Sequence, residues 1–188
     1  MKKLLFLLTI AILLTIGNQS VTAQENEIAN KLFYVEFGGP GIIMSANFDG
    51  RFMPDTRLGL GYRIGAGFGL SSFGNESYNY YDYGEYWVYS SKPTRTVYSF
   101  PIGLNYVFAK PDRATSFEMG AGVTILSQKM SIYNYEAYEP GYVIGYLNFM
   151  FRVAPVNGGM AFRVGLTPII GTAGDLYPMA SIGFGYAF

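Results

Sequence analysis

Histidine and cysteine are both absent from this chain, and tryptophan occurs once, as Trp87. Without imidazole or thiolate, the usual zinc, copper and haem ligand sets cannot be assembled. Ser-His-Asp and Cys-His nucleophile arrangements are equally out of reach. No metal site, cofactor or catalytic residue is therefore expected, and the chain is read as a non-enzyme. Disulfide stapling, the common device of small exported domains, is also closed to it. What remains is a large core or a hydrogen-bonded sheet that closes on itself. Charge of one sign is lacking too: 13 basic residues balance 13 acidic ones, so there is no basic field to draw nucleic acid. After the first two dozen residues, no apolar run approaches the roughly 20 residues of a membrane-spanning helix.

The start of the chain has the layout of a secretory signal peptide. Lys2 and Lys3 precede an apolar run of 13 residues at 4–16, and Val21-Thr22-Ala23 supplies small residues for cleavage. The expected division is a cleaved signal at 1–23, a short periplasmic segment at 24–31 and one β-domain at 32–188. No Cys follows the apolar run, so lipid anchoring is not expected.

Half of the sequence is hydrophobic and 18% is aromatic, yet these residues are spread by alternation. Leu58, Leu60, Tyr62, Ile64, Ala66, Phe68 and Leu70 occupy even positions. Arg57, Gly59, Gly61, Arg63, Gly65, Gly67 and Gly69 stand between them. That is the period of two of a strand. The same pattern recurs from Tyr98 to Phe108, Phe117 to Ile125, Val143 to Val153, Met160 to Leu166 and Ala180 to Phe188.

The smaller face decides between a soluble sandwich and a membrane barrel. A water-facing surface should be rich in Lys, Glu and Asp, but this face is mostly Gly, Ala, Ser and Thr. Glycine weakens a strand because it packs nothing and loses more entropy on folding. Its repetition implies a crowded place, such as the lumen of a narrow barrel whose apolar side chains face lipid. The fold class expected is all-β: a transmembrane antiparallel up-and-down barrel with a filled lumen.

Turn chemistry divides the strands. Short polar links are expected at Asp49-Gly50, at Lys110-Pro111-Asp112-Arg113 and at Pro155-Val156-Asn157-Gly158-Gly159. Longer ones span residues 71–94 and 131–141, with a mid-length one at 171–177. Short turns at one end and long loops at the other are the asymmetry of such barrels. Before residue 56 the apolar parity flips: Phe33, Val35 and Phe37 are odd, whereas Met44, Ala46 and Phe48 are even. Either a bulge or a tight hairpin at Gly38-Gly39-Pro40-Gly41 produces that flip. A hairpin gives eight strands, all antiparallel with both termini at one end, and eight is the number expected.

Two groups of residues carry whatever chemistry there is. Alternation sends Glu36, Arg63, Glu118, Arg152 and Arg163 inward, where buried charges must pair. A mutually satisfying lumen network is the expectation, against a proton path or a catalytic carboxylate pair. The second group lies in the long loops: Tyr80, Tyr81, Tyr83, Tyr86 and Trp87, then Tyr135 and Tyr138. Tyr and Trp give rigid contact area with a polar tip, suited to binding a surface glycan or host matrix. The competing reading places them on strands continuing above the bilayer and in its interfacial belt.

Three stretches carry a resemblance: Tyr34-Val35-Glu36-Phe37-Gly38-Gly39-Pro40-Gly41, then Phe162-Arg163-Val164-Gly165-Leu166-Thr167-Pro168, and the ending Ser181-Ile182-Gly183-Phe184-Gly185-Tyr186-Ala187-Phe188. With them the chain resembles the small outer-membrane β-barrel proteins of the OmpA/OmpX-like superfamily, particularly barrels common in the Bacteroidetes. The resemblance implies an outer-membrane location, outer-membrane lipid as surroundings and a monomer. It also implies handling by the barrel-assembly machinery through the last strand, which ends at Phe188. It implies no single function. A structural or surface-interaction role is the first expectation, and a lipid-modifying enzyme without His or a narrow pore or transport accessory are the alternatives.

Overall fold

Alternation of branched or aromatic residues with small ones favours extended backbone, and strands dominate the computed structural model. It describes residues 28–72, 76–82, 85–91, 94–130, 141–171 and 174–188, with backbone alone over 71–72, 76–82 and 85–91. The strands are β1 (Lys31–Gly38), β2 (Met44–Arg51), β3 (Gly59–Ser72), β4 (Glu76–Asp82), β5 (Glu85–Ser91) and β6 (Thr94–Phe108). They continue as β7 (Thr115–Met130), β8 (Gly141–Val153), β9 (Gly159–Leu166), β10 (Ile169–Ile170), β11 (Leu176–Tyr177) and β12 (Ala180–Ala187). Among the described residues no helix is long and apolar enough to cross a membrane.

Eight of these strands close an antiparallel up-and-down barrel in the order β1-β2-β3-β6-β7-β8-β9-β12. Closure is made by β1 against β12, from Leu32 opposite Ala187 to Gly38 opposite Ser181. Reciprocal backbone bonds of 3.0 Å between Lys31 and Phe188 extend the seam. The short β10 and β11 continue β9 and β12 in unbroken register. The interruption falls at Pro168 and Pro178, which stand opposite each other and have no N–H to give the ladder. Pro101 has the same effect inside β6: the β3–β6 pairing lapses between Ile64 opposite Ile102 and Gly67 opposite Ser99.

The parity flip at Gly38-Gly39-Pro40-Gly41 is a tight hairpin, as the eight-strand expectation required. Gly38 and Gly39 take left-handed φ values of 74° and 65°, which glycine adopts without a Cβ clash. One expected turn is corrected. Asp49-Gly50 lies inside β2, with Asp49 opposite Leu32 and Arg63, and the chain reverses at residues 52–58 instead. Asp-Gly is a strong local turn signal, but pairing on both sides overrides it. Arg57 accordingly sits in that turn rather than on a strand, where its Nη1 donates to Ala154 O at 3.1 Å.

The two faces of the wall are chemically inverted relative to a soluble protein. Phe33, Leu60, Ile64, Phe100, Ile102, Leu104, Phe117, Phe151 and Phe184 are all exposed on the outside. Inside, Glu36, Asp49, Glu118 and Thr124 are 0% exposed. Both ends of the barrel are tied. At the end holding the termini, Ala29 N donates to Val156 O and Asn30 Nδ2 to Pro54 O, lacing the N-terminal segment over two turns. At the far end the Gly39–Gly41 turn folds inward and is buried. Thr124 Oγ1 donates to Pro40 O at 2.9 Å and Ser99 Oγ to Gly41 O at 3.0 Å. Ile42 follows at φ 76°, an uncommon value for a β-branched residue. It packs against a buried apolar cluster of Val97, Leu126, Met130, Ile144, Tyr146 and Ile169.

Candidate functional site

The polar interior holds two hydrogen-bonded clusters, one around Glu36 and one around Asp49 and Glu118, which meet at the Tyr34 ring. Inward parity on β1, β3, β7, β8 and β9 places Glu36, Arg63, Glu118, Arg152 and Arg163 within it, all buried. Arg63 Nη2 pairs with Glu36 Oε2, and Asn47 Oδ1 accepts from Arg63 Nη2 at 2.9 Å. Glu118 Oε1 accepts from Arg163 Nη2 at 2.6 Å, Asn148 Nδ2 at 2.9 Å and Asn105 Nδ2 at 3.2 Å. Arg152 Nη1 joins Glu118 at 3.5 Å to Asp49 at 3.1 Å, and Arg51 holds Asp49 from the other side at 2.6 Å. Each carboxylate thus faces guanidinium rather than another carboxylate. The three carboxylates are thereby held in ion pairs and hydrogen bonds.

Several members were not singled out from the sequence. Asp49 and Arg51 were hidden by the turn assigned at Asp49-Gly50, although Ser45, Asn47, Asp49 and Arg51 form an alternating polar column opposite Met44, Ala46 and Phe48. Asn105 and Asn148 stood on the correct face, yet amides give no signal until a charge is seen beside them. Tyr34 and Tyr146 are also buried inside. The Arg163 guanidinium lies 4.2 Å from the centre of the Tyr34 ring, and Arg63 lies 5.4 Å from it. Cations over aromatic faces are stabilised by the ring quadrupole.

The lumen glycines make room for these side chains. Tyr146 stands opposite Gly122 in the β7–β8 pairing, and its ring lies across that glycine. A Cβ on Gly122 would come within 2.3 Å of the Ile102 backbone oxygen, 2.5 Å of Tyr146 Oη and 2.6 Å of its Cζ. Gly122→Ala is therefore expected to destabilise the barrel by about 1–3 kcal/mol, the usual cost of overpacking. Tyr146→Ala in the same chain should relieve part of that loss. Urea unfolding of the four proteins measures it, and additive losses would disprove the contact.

The Tyr-rich stretch is only partly in view. Residues 71–94 were expected as a long link whose tyrosines either form a contact loop or lie on continuing strands, and β4 and β5 form a two-stranded antiparallel hairpin at the far end. Tyr80 pairs with Trp87 and Tyr81 with Tyr86 in its backbone register. Tyr83, Tyr135 and Tyr138 lie outside the described residues.

Fold and interior together define the class of the molecule: a closed eight-stranded antiparallel β-barrel with a polar, ion-paired interior and an apolar exterior. Compared with protein-family models, with curated proteins and with solved structures, the chain matched none.

Proposed function

We propose that this chain is an outer-membrane β-barrel of structural or surface-interaction type, related to the OmpA/OmpX-like barrels it resembles. In this reading it is exported by its N-terminal signal, folded by the barrel-assembly machinery through the strand ending at Phe188, and surrounded by lipid. The observation that carries the proposal is the inversion of the wall: large apolar side chains outside, ion pairs within. Water would not tolerate such an exterior, whereas hydrocarbon requires it. The apolar outer positions of β6 run from Tyr98 to Phe108, about 33 Å along a strand. At a tilt of about 40° that spans about 25 Å, the height of a barrel's lipid band.

The end with the termini then faces the periplasm, and the far end, with the β4–β5 hairpin, faces outward. Tyr80, Tyr81, Tyr83, Tyr86 and Trp87, with Tyr135 and Tyr138, are the candidate contact surface for a glycan or matrix protein. Membrane fractionation and gel migration with and without heating test the location. A folded barrel migrates differently before boiling, and a soluble protein shows no such shift. The contact surface is tested by Tyr83→Ser, Tyr86→Ser and Trp87→Ser together. Loss of cell-surface binding to glycan or matrix arrays is expected, and unchanged binding would remove the adhesive role.

The interior argues against the pore alternative. Arg152 and Arg163 converge on Glu118 while the Gly39–Gly41 turn fills the far end. A planar bilayer containing the folded protein is expected to show no steady conductance above background. Stable, voltage-independent channel steps would instead establish a pore.

A further inference from the structure

Most of the lumen charges are matched, but one region has donors in excess. Arg63 Nη1, Arg163 Nε and Nη1, Tyr34 Oη and Tyr146 Oη are all buried without a hydrogen-bond partner among the described residues. They belong to one neighbourhood. Both guanidinium groups lie over the Tyr34 ring, and Arg63 is 5.8 Å from the centre of the Tyr146 ring. The nearby acceptors are already engaged. Glu36 faces Arg63 and Ser181, and Glu118 takes Arg163 through Nη2 while also holding Arg152, Asn105 and Asn148. Backbone carbonyls cannot make up the difference, because the closed ladder occupies those of the wall. Charge points the same way. Among the described lumen side chains Arg51, Arg63, Arg152 and Arg163 face only Glu36, Asp49 and Glu118, an excess of one positive charge in a shell where an unpaired ion is costly.

We propose that the lumen holds one small monovalent anion of halide size, bound by Arg63 and Arg163 with the hydroxyl groups of Tyr34 and Tyr146. A guanidinium group has donors and no acceptor, and the two positive charges of Arg63 and Arg163 repel a cation from this place. A water molecule satisfies hydrogen bonds but leaves the excess charge in place. An eight-stranded interior holds its own side chains and at most one small ligand, which favours a halide-sized ion over a sulfate or a carboxylate-bearing metabolite. The ion enters as the barrel closes and neutralises the network. It is a folding ligand rather than a transported one.

The test refolds the protein in detergent micelles with chloride, bromide or gluconate at one ionic strength. Unfolding midpoints are expected to rise and saturate with chloride and bromide but not with gluconate. Crystals grown with bromide should show one anomalous peak in the lumen, within hydrogen-bond reach of Arg63 and Arg163. Tyr146→Phe keeps the ring over Gly122 and removes a single donor. It should raise the bromide concentration needed by about tenfold, the loss of one hydrogen bond to a charged group, while heat-shifted gel migration stays intact. Equal stability in all three salts, or bromide crystals with only water in the lumen, would overturn the proposal.

Discussion

Replacing Glu118 with leucine is expected to be the most damaging single change in the barrel, costing about 3–5 kcal/mol of folding free energy. Its carboxylate accepts from Arg163, Asn148, Asn105 and Arg152 at 2.6 to 3.5 Å and is wholly buried. Leucine fills a similar volume but accepts nothing. Arg163 and Asn148 would then lose their carboxylate outright, and Arg152 and Asn105 would keep only Asp49, in a place water does not reach. The cost arises mostly from the charges left behind rather than from the bonds removed. That distinction gives the prediction a second arm. Glu118→Leu combined with Arg163→Leu removes a positive charge along with the negative one, while Arg152 keeps Asp49 at 3.1 Å. The double variant should recover more than half of the single variant's loss. Unfolding should be followed by circular dichroism or gel migration, because Trp87, the only tryptophan, sits in the β4–β5 hairpin rather than in the barrel wall. A Glu118→Leu barrel as stable as the parent would show that the network does not hold the fold.

The faces of this barrel were legible in the sequence, and its depth relations were not. Parity alone sends Arg63, Glu118, Arg152 and Arg163 inward, since a strand has no third direction for a side chain. Parity cannot tell that Arg152 reaches Asp49 and Glu118 on two other strands. That pairing depends on the stagger of the strands around the barrel, set by closure between β1 and β12. Local signals also failed where two neighbours compete with them. Asp49-Gly50 reads as a turn until β1 and β3 are seen pairing across it. Pro168 breaks the ladder, yet β10 resumes the same register beyond it, because the opposite strand carries Pro178 at the same level. The hairpin within residues 71–94 was foreshadowed by the spacing of two in Tyr78/Tyr80 and Tyr81/Tyr83. Clustered tyrosines suit a loop and a strand equally, so composition could not choose between them.

The outer face gives the second large effect, and it separates a membrane protein from a soluble one. Ile102 lies midway along the apolar band of β6 and is exposed, while Phe108 closes that band at the end with the termini. With lipid outside, Ile102→Arg places a guanidinium group near the centre of the hydrocarbon and should cost about 2–4 kcal/mol. Phe108→Arg, near the interface, should cost about 0–1 kcal/mol. In water the order would vanish, because an arginine at either exposed position costs little and adds solubility. Reversible urea unfolding in lipid vesicles measures both variants, and repeating it in two lipid thicknesses adds a check. A thinner bilayer brings residue 102 closer to the interface and should shrink its penalty, with residue 108 little changed. Equal small effects at both positions would place this wall in water, and the ion pairs inside would then need another explanation for facing away from it.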